Sequence, residues 1–180
     1  MGASRAIAVV AGLAVLALAA CNEGPASNQT YVHPAGSWSF MVAATKDGPL
    51  LVEIHGVAVD GDGPAQTEAV LELMDDAIHR RGGLQFTADR AAAANPAYRV
   101  AWTFNAAAGL GSRQHCNGEG RGQPPQAEGR VEILATFCDE DRVLANVRGW
   151  VEDVQGLEDK RFQRLVKQVT RELFVKPVDR

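Results

Sequence analysis

Two pairs of carboxylate and histidine residues are the best candidates in this sequence for acid–base chemistry. Glu53 and His55 are two positions apart, so both side chains share one face if the segment is a strand. Asp75 and His79 are four positions apart, so they are neighbours if the segment is a helix. Either pair could supply the general base of a hydrolase, but neither has an evident nucleophile beside it. A solvated helix face explains Asp75 and His79 more simply.

Two further motifs are weaker candidates for chemistry. Ser112 follows glycines but lacks the Gly-x-Ser-x-Gly spacing of a nucleophile elbow. The glycines of segment 118–122 could cradle a phosphate only if a helix followed, and Pro124 and Pro125 exclude one there. The sequence therefore predicts no catalytic residue, no metal site and no cofactor.

The first part of the domain is predicted to form two strands. Trp38, Phe40 and Val42 alternate with other residues, and segment 50–59 is rich in β-branched residues. The intervening segment 46–49, which contains Gly and Pro, is typical of a hairpin turn. From Pro64 the period changes to that of an amphipathic helix of about 16 residues. Its apolar face consists of Val70, Leu73, Met74, Ala77 and Ile78.

The second part is predicted to form three strands and a final helix. Segment 98–105 alternates with period two, which places Trp102 in the core and the intervening residues in solvent. Segments 131–137 and 143–151 form a hairpin around the acidic turn 139–141. An amphipathic helix follows over 159–174. Between the first and second of these strands, segment 106–126 is a long loop with a functional or a mobile role.

These elements predict an α+β fold. The order β-β-α-β-β-β-α gives a two-layer sandwich, in which an antiparallel or mixed sheet of about five strands is covered by two amphipathic helices. Trp150 and Leu144 have the parity opposite to that of the core-facing residues of their strand. Together with His115 and Arg121 of the long loop, they form the candidate interaction surface.

The amino terminus carries the most specific motif. Arg5 precedes an uninterrupted apolar run over 6–20, which has the charge, length and small-residue ending of a secretory signal. The run ends in Leu18-Ala19-Ala20-Cys21, and this box resembles the lipobox of bacterial lipoprotein precursors. The resemblance implies cleavage after Ala20, diacylglycerol on the Cys21 sulfur and acylation of the new amino group. The alternative is an ordinary secretory signal with a chance cysteine.

Three regions follow from this resemblance. Residues 1–20 are the signal peptide, 21–35 the lipidated cysteine with a flexible polar tether, and 36–180 a single globular domain. Asn22 replaces the Asp that in this family retains lipoproteins in the inner membrane, so the outer membrane is favoured. The layout of the domain is also similar to that of small Gram-negative envelope lipoproteins of unknown activity.

With Cys21 assigned to lipid, Cys116 and Cys138 remain as an even pair. In an exported chain such a pair is most simply a disulfide. Two alternatives stay open, namely free thiols and a metal site that includes His115. A structural zinc site normally takes four protein ligands, and the sequence offers no convincing fourth one.

Charge and location together limit the function. The chain has 18 basic and 22 acidic residues, interleaved along its length, which argues against nucleic acid as a partner. The prediction is a lipid-anchored, periplasm-facing envelope protein that is not catalytic. Its partners would be the membrane, through the anchor, and an envelope protein or the cell wall. The alternatives are a small-ligand-binding lipoprotein and a periplasmic hydrolase that uses Glu53 with His55 or Asp75 with His79.

Overall fold

The computed structural model describes residues 24–60, 63–79 and 84–175 and shows an α+β fold. A single sheet has six strands, and four α-helices accompany it in the described ranges. The elements in chain order are β1 (Ala26–Val32), α1 (Ser37–Ala44), β2 (Leu50–His55), α2 (Gly63–Ile78), β3 (Phe86–Thr87), β4 (Tyr98–Phe104), α3 (Ser112–Cys116), β5 (Val131–Asp139), β6 (Arg142–Val151) and α4 (Lys160–Leu173).

The sheet is mixed and open. Its strand order is β1-β6-β5-β4-β2-β3, with β2 parallel to both β3 and β4 and all other neighbours antiparallel. The predicted class, a sheet covered by helices, is thus confirmed. The number and order of the elements differ from the prediction, because β1, β3 and α3 are additional and α1 replaces a predicted strand.

The main core lies between one face of the sheet and helices α1, α2 and α4. Helix α4 is capped by Asp159, whose side chain accepts a hydrogen bond from the Arg161 backbone amide at 2.8 Å. Gly149 of β6 lets α4 approach, since a Cβ there would lie 2.6 Å from Val169 Cγ2. The predicted apolar stripe of α4 is buried throughout and comprises Phe162, Leu165, Val166, Val169 and Leu173.

Several predicted elements are confirmed with nearly the predicted bounds. Helix α2 spans 16 residues from Gly63. Strand β4 buries Trp102 completely, and β5 and β6 form the predicted hairpin. The side chains of Trp102, Phe104 and Phe162 pack in series in the core, with ring centroids 6.3 and 6.0 Å apart.

The strand predicted over 38–42 is wrong, because these residues belong to α1. Ser37, Met41 and Ala44 are the buried positions of this helix, and their spacing of four and three is helical. Trp38 and Phe40 are only half-buried and pack against the rim of the core. The segment 46–49 therefore connects a helix to β2 rather than two strands.

The prediction of a flexible tether over 21–35 is corrected in part. Residues Ala26–Val32 form β1, which pairs antiparallel with β6 from Ala26 opposite Trp150 to Val32 opposite Ala145. This strand is polar and mostly exposed, so its position comes from pairing with β6 rather than from an apolar pattern. The predicted signal peptide and Cys21 lie outside the described residues. No helix of the described ranges has the length and hydropathy to cross a bilayer.

The second face of the sheet is not solvated as predicted. Ala101 and Thr103 of β4 and Thr136 of β5 are buried on this face, although their parity is opposite to that of Trp102. Segment 106–126 covers them and contains α3. A register shift in β6 also turns Leu144 into the main core, so the parity argument that placed Leu144 on the surface fails there.

Candidate functional site

Helix α3 is fastened to the second face of the sheet by a covalent bond. The Sγ atoms of Cys116, at the end of α3, and Cys138, on β5, are 2.01 Å apart, and their Cα atoms are 5.6 Å apart. The predicted pairing of these two cysteines is therefore present. Arg99 of β4 donates a hydrogen bond to the carbonyl of Cys116, which fixes the same end of the helix.

His115 holds the middle of α3 to the sheet. Its Nε2 lies 2.8 Å from Thr103 Oγ1, and its Nδ1 lies 2.8 Å from Thr136 Oγ1. A neutral imidazole suits these two hydroxyl partners, because one ring nitrogen donates a hydrogen bond and the other accepts one. His115 is only 1% exposed, so the contact is sealed from water.

The hydrogen bonds continue from His115 to the edge of the sheet. Asn146 Nδ2 donates to Thr136 Oγ1 at 2.7 Å, and Thr30 Oγ1 donates to Asn146 Oδ1 at 2.6 Å. We call these five residues, Thr103, His115, Thr136, Asn146 and Thr30, the His115 network. It joins β4, α3, β5, β6 and β1 in one continuous chain of polar contacts.

Burial keeps the His115 imidazole neutral. Loss of hydration, together with the weaker effect of the nearby His55, Arg148 and Arg99, lowers its pKa to about 3. Because His115 is sealed from water and both its nitrogens are engaged, the arrangement suits a structural link better than a general base.

Two glycines and an asparagine close the rest of segment 106–126 onto the sheet. Gly122 packs directly on Gly56, and a Cβ on Gly122 would lie 2.3 Å from Gly56 Cα and 2.7 Å from Phe104 O. Asn105, with φ 48°, donates from Nδ2 to Val57 O at 3.0 Å and accepts at Oδ1 from the Glu132 amide at 3.1 Å. The segment is thus fixed at both ends.

We expect Gly122→Ala to destabilise the domain by about 1–3 kcal/mol, because the new methyl group would collide with backbone atoms that cannot move aside. Urea unfolding of the variant and the wild type measures this difference. Gly156→Ala is the matched control, since a Cβ there meets nothing within 4 Å. Equal stabilities for the two variants would contradict the tight packing of segment 106–126.

The outer surface of α3 is polar and lies between two open pockets. Arg113, Gln114 and Asn117 are exposed there. One pocket, of about 400 Å³, is lined by Arg90, Pro96, Ala97, Arg99, Cys116, Asn117, Glu140 and Asp141. The other, of about 610 Å³, is lined by Thr30, Tyr31, Ser112, Arg113, Asp141, Arg142 and Val143.

The structure places Glu53 and His55 on the same face, as the spacing predicts, but engages each separately. Glu53 forms ion pairs with Arg90 at 3.1 Å and with Arg99 at 3.0 Å. The ring of His55 packs against Gly120, at which a Cβ would lie 2.6 Å from His55 Cδ2. Glu53 thus supports the face of the sheet, and His55 supports segment 106–126. The two side chains do not serve one common pocket.

Asp75 and His79 are not joined by any hydrogen bond or ion pair in the described ranges. Burial raises the pKa of Asp75, whose carboxylate accepts a hydrogen bond from the Phe86 backbone. The charge of His79 acts instead on Asp76, which forms an ion pair with Lys167 of α4. Asp75 thus attaches α2 to β3, and Asp76 attaches α2 to α4.

The candidate interaction surface is corrected in two of its four residues. Leu144 and His115 are buried and cannot contact a partner. Trp150 is half-buried and Arg121 is exposed, so both remain available. Sequence reasoning missed Thr103, Thr136 and Asn146, because each occupies a strand position that an uncovered sheet would expose to water.

No group of three or more His, Cys, Asp or Glu residues in the described part of the chain is arranged to hold a metal ion. Comparison with protein-family models, with curated proteins and with solved structures finds no match to this chain.

Proposed function

We propose that this protein is a lipid-anchored binding domain of the cell envelope, without catalytic activity, that contacts a protein or the cell wall through α3 and its flanking pockets. The observation that carries the proposal is the attachment of α3. A disulfide and the His115 network fix a short helix with a polar outer surface between two open pockets. A rigid exposed element binds with a small loss of conformational entropy.

The cysteines support a location outside the cytosol. Disulfides persist in oxidising compartments and are rare where glutathione keeps thiols reduced. Cys116 and Cys138 are both buried, so their bond belongs to the folded core of the second face. This agrees with the signal and lipobox of the sequence, on which the membrane location depends.

The spacing of Cys21 and β1 supports close attachment to a membrane. Gly24, the first described residue, follows Cys21 by three positions, a distance of at most about 10 Å in a fully extended chain. Ala26, Trp150 and Asp153 line a small pocket at this end of the sheet. A lipid on Cys21 would therefore hold this end near the bilayer surface.

Replacing the proposed lipidation site tests the anchor. We expect Cys21→Ser to move the protein from the membrane fraction to the soluble fraction, because it removes the acyl chains, each methylene of which contributes about 0.8 kcal/mol to membrane binding. Intact-protein mass spectrometry of the wild type should show the added acyl mass. An unmodified amino terminus, or unchanged fractionation of the variant, would contradict the proposal.

A photo-crosslinking residue at Arg113 in intact cells tests the binding role. We expect it to capture a defined partner or cell-wall fragment, whereas the same residue at exposed Ala43 on α1 should not. Equal background at both positions would exclude α3 as the contact.

A further inference from the structure

Strand β1 leaves one long edge of the sheet open. Its inner edge pairs with β6, and no described residue hydrogen-bonds to the backbone groups on its outer side. The opposite edge of the sheet is β3, which has only two residues. Short strands protect a sheet edge, whereas a long strand with unpaired backbone groups is a template for another strand.

The composition of β1 does not protect its edge. An open edge can be guarded by lysine, by proline, by inward-pointing charges or by a bulge. The seven residues of β1 include no lysine, proline or charge, and the irregularity of β1 lies between Gln29 and Tyr31, towards one end of the strand. Asn28, Gln29, Thr30 and Tyr31 are exposed. Tyr31, 42% exposed, is one of the two exposed large hydrophobic residues among those described.

We propose that two copies of this protein associate through β1, which pairs antiparallel with its equivalent about a two-fold axis at Asn28. In this register Asn28 faces Asn28 of the other copy, and Ala26 faces Thr30. Residues on the same face of β1 are then paired, as an antiparallel sheet requires. The result is one continuous sheet of twelve strands, six from each copy.

The side chains at the two ends of β1 complement each other in this arrangement. The β1 irregularity between Gln29 and Tyr31 places Tyr31 beside Thr30 on the edge. Tyr31 of one copy therefore comes next to Ala26 of the other, and Trp150 is the β6 partner of Ala26. A small residue opposite an aromatic one leaves room for Tyr31 to pack towards Trp150, and the symmetry forms this contact twice.

The charges near the two ends of β1 do not oppose the pairing. The pocket beside Tyr31 contains Arg113 and Arg142 together with Asp141. The pocket beside Ala26 contains Glu152 and Asp153, which form ion pairs with Arg130 at 2.8 Å and with Arg161 at 3.5 Å. Both ends thus carry charges of both signs, and β1 itself contributes no like charges to the paired strands.

The association does not depend on the proposed lipid anchor, because it uses residues of the described domain alone. It is compatible with the anchor if the paired strands lie along the membrane. The two Gly24 residues are then about 26 Å apart, and each short linker can reach the same surface.

Sedimentation equilibrium of the full chain in density-matched detergent tests the proposal. We expect a concentration-dependent dimer for the wild type. The control variant Val42→Lys should form the same dimer, because Val42, the exposed apolar residue besides Tyr31, lies on α1 and not on β1. Asn28→Lys should weaken the dimer about tenfold or more, because it places two like charges opposite each other at the two-fold axis.

A cysteine trap covers the case in which the lysine variant is unstable. Asn28→Cys should form an intermolecular disulfide, because directly opposite residues in an antiparallel pair lie within the range of Cα distances that a disulfide spans. Ser39→Cys, exposed on α1, is the control. A monomer at every concentration, a dimer that Asn28→Lys leaves unchanged, or equal trapping at both positions would overturn the proposal. A monomer whose β1 edge is occupied by a different protein would do the same.

Discussion

Acidification should destabilise this protein through His115 by about 1.4 kcal/mol for each pH unit between 6.5 and about 3. The unfolded chain takes up a proton on this imidazole near pH 6.5, whereas burial delays protonation in the folded protein until about pH 3. Between these values the unfolded state binds more protons, so stability rises with pH. The stabilisation is complete above pH 6.5 and is lost progressively below it.

The fall in stability follows from the contacts of the ring. A protonated His115 would have to donate at both nitrogens in a site sealed from water, close to Arg99 and Arg148. Urea unfolding at pH 7 and pH 4.5, followed by tryptophan fluorescence, to which buried Trp102 contributes, measures the change. By pH 4.5 the loss from His115 should reach about 3 kcal/mol.

Two variants separate His115 from the other titrating groups. His115→Gln should be less stable than the wild type at pH 7 but should lose less stability on acidification. His79→Gln, at an exposed position beyond α2, should keep the full slope of the wild type. The raised pKa of Asp75 acts in the opposite direction and cancels when a variant is compared with the wild type. A His115→Gln slope equal to that of the wild type would exclude the assignment.

Removing the disulfide should lower the free energy of unfolding by about 3 kcal/mol. Cys116 and Cys138 are 22 positions apart, and the bond restricts the unfolded chain over that loop. In the folded state the bond also holds α3 against the sheet, so its loss should expose the His115 network to water and make segment 106–126 more susceptible to proteolysis.

The double variant Cys116→Ala/Cys138→Ala measures this contribution at constant pH. A thiol reductant should destabilise the wild type by a similar amount and should leave the double variant unchanged, which separates the bond from the loss of buried sulfur. Detection of free thiols shows that the reductant has broken the bond in the wild type. An unchanged free energy of unfolding in that sample would mean that the bond does not stabilise the domain.

The sequence predicts the elements whose side chains alternate clearly or follow a helical period. Helices α2 and α4 and strands β4, β5 and β6 belong to this group, because each has an apolar face that the core requires. Strand β1 could not be predicted this way. Its residues are polar on both faces, and only pairing with β6 makes it a strand.

Short apolar segments are ambiguous for a different reason. Trp38, Phe40 and Val42 have the spacing of a strand, whereas Ser37 and Met41 have the spacing of a helix, and both patterns occupy the same residues. The helix forms because it buries Met41 in the main core, a tertiary contact that the local pattern does not reveal.

The candidate site is predictable in its covalent part only. An even cysteine pair in an exported chain is sufficient to suggest the disulfide. The His115 network is not predictable, because Thr103, Thr136 and Asn146 become buried only when the disulfide and α3 cover their face of the sheet. His115 itself has the sequence context of a loop residue.

The pairing of β1 with β6 sets an order for the biogenesis of this protein. Ser27 lies opposite Gly149, roughly 120 residues later in the chain, so the first strand has no partner until almost all of the polypeptide has been synthesised. Once the hairpin of β5 and β6 has formed, β1 can dock against β6, so the first strand in the chain is among the last to join the sheet.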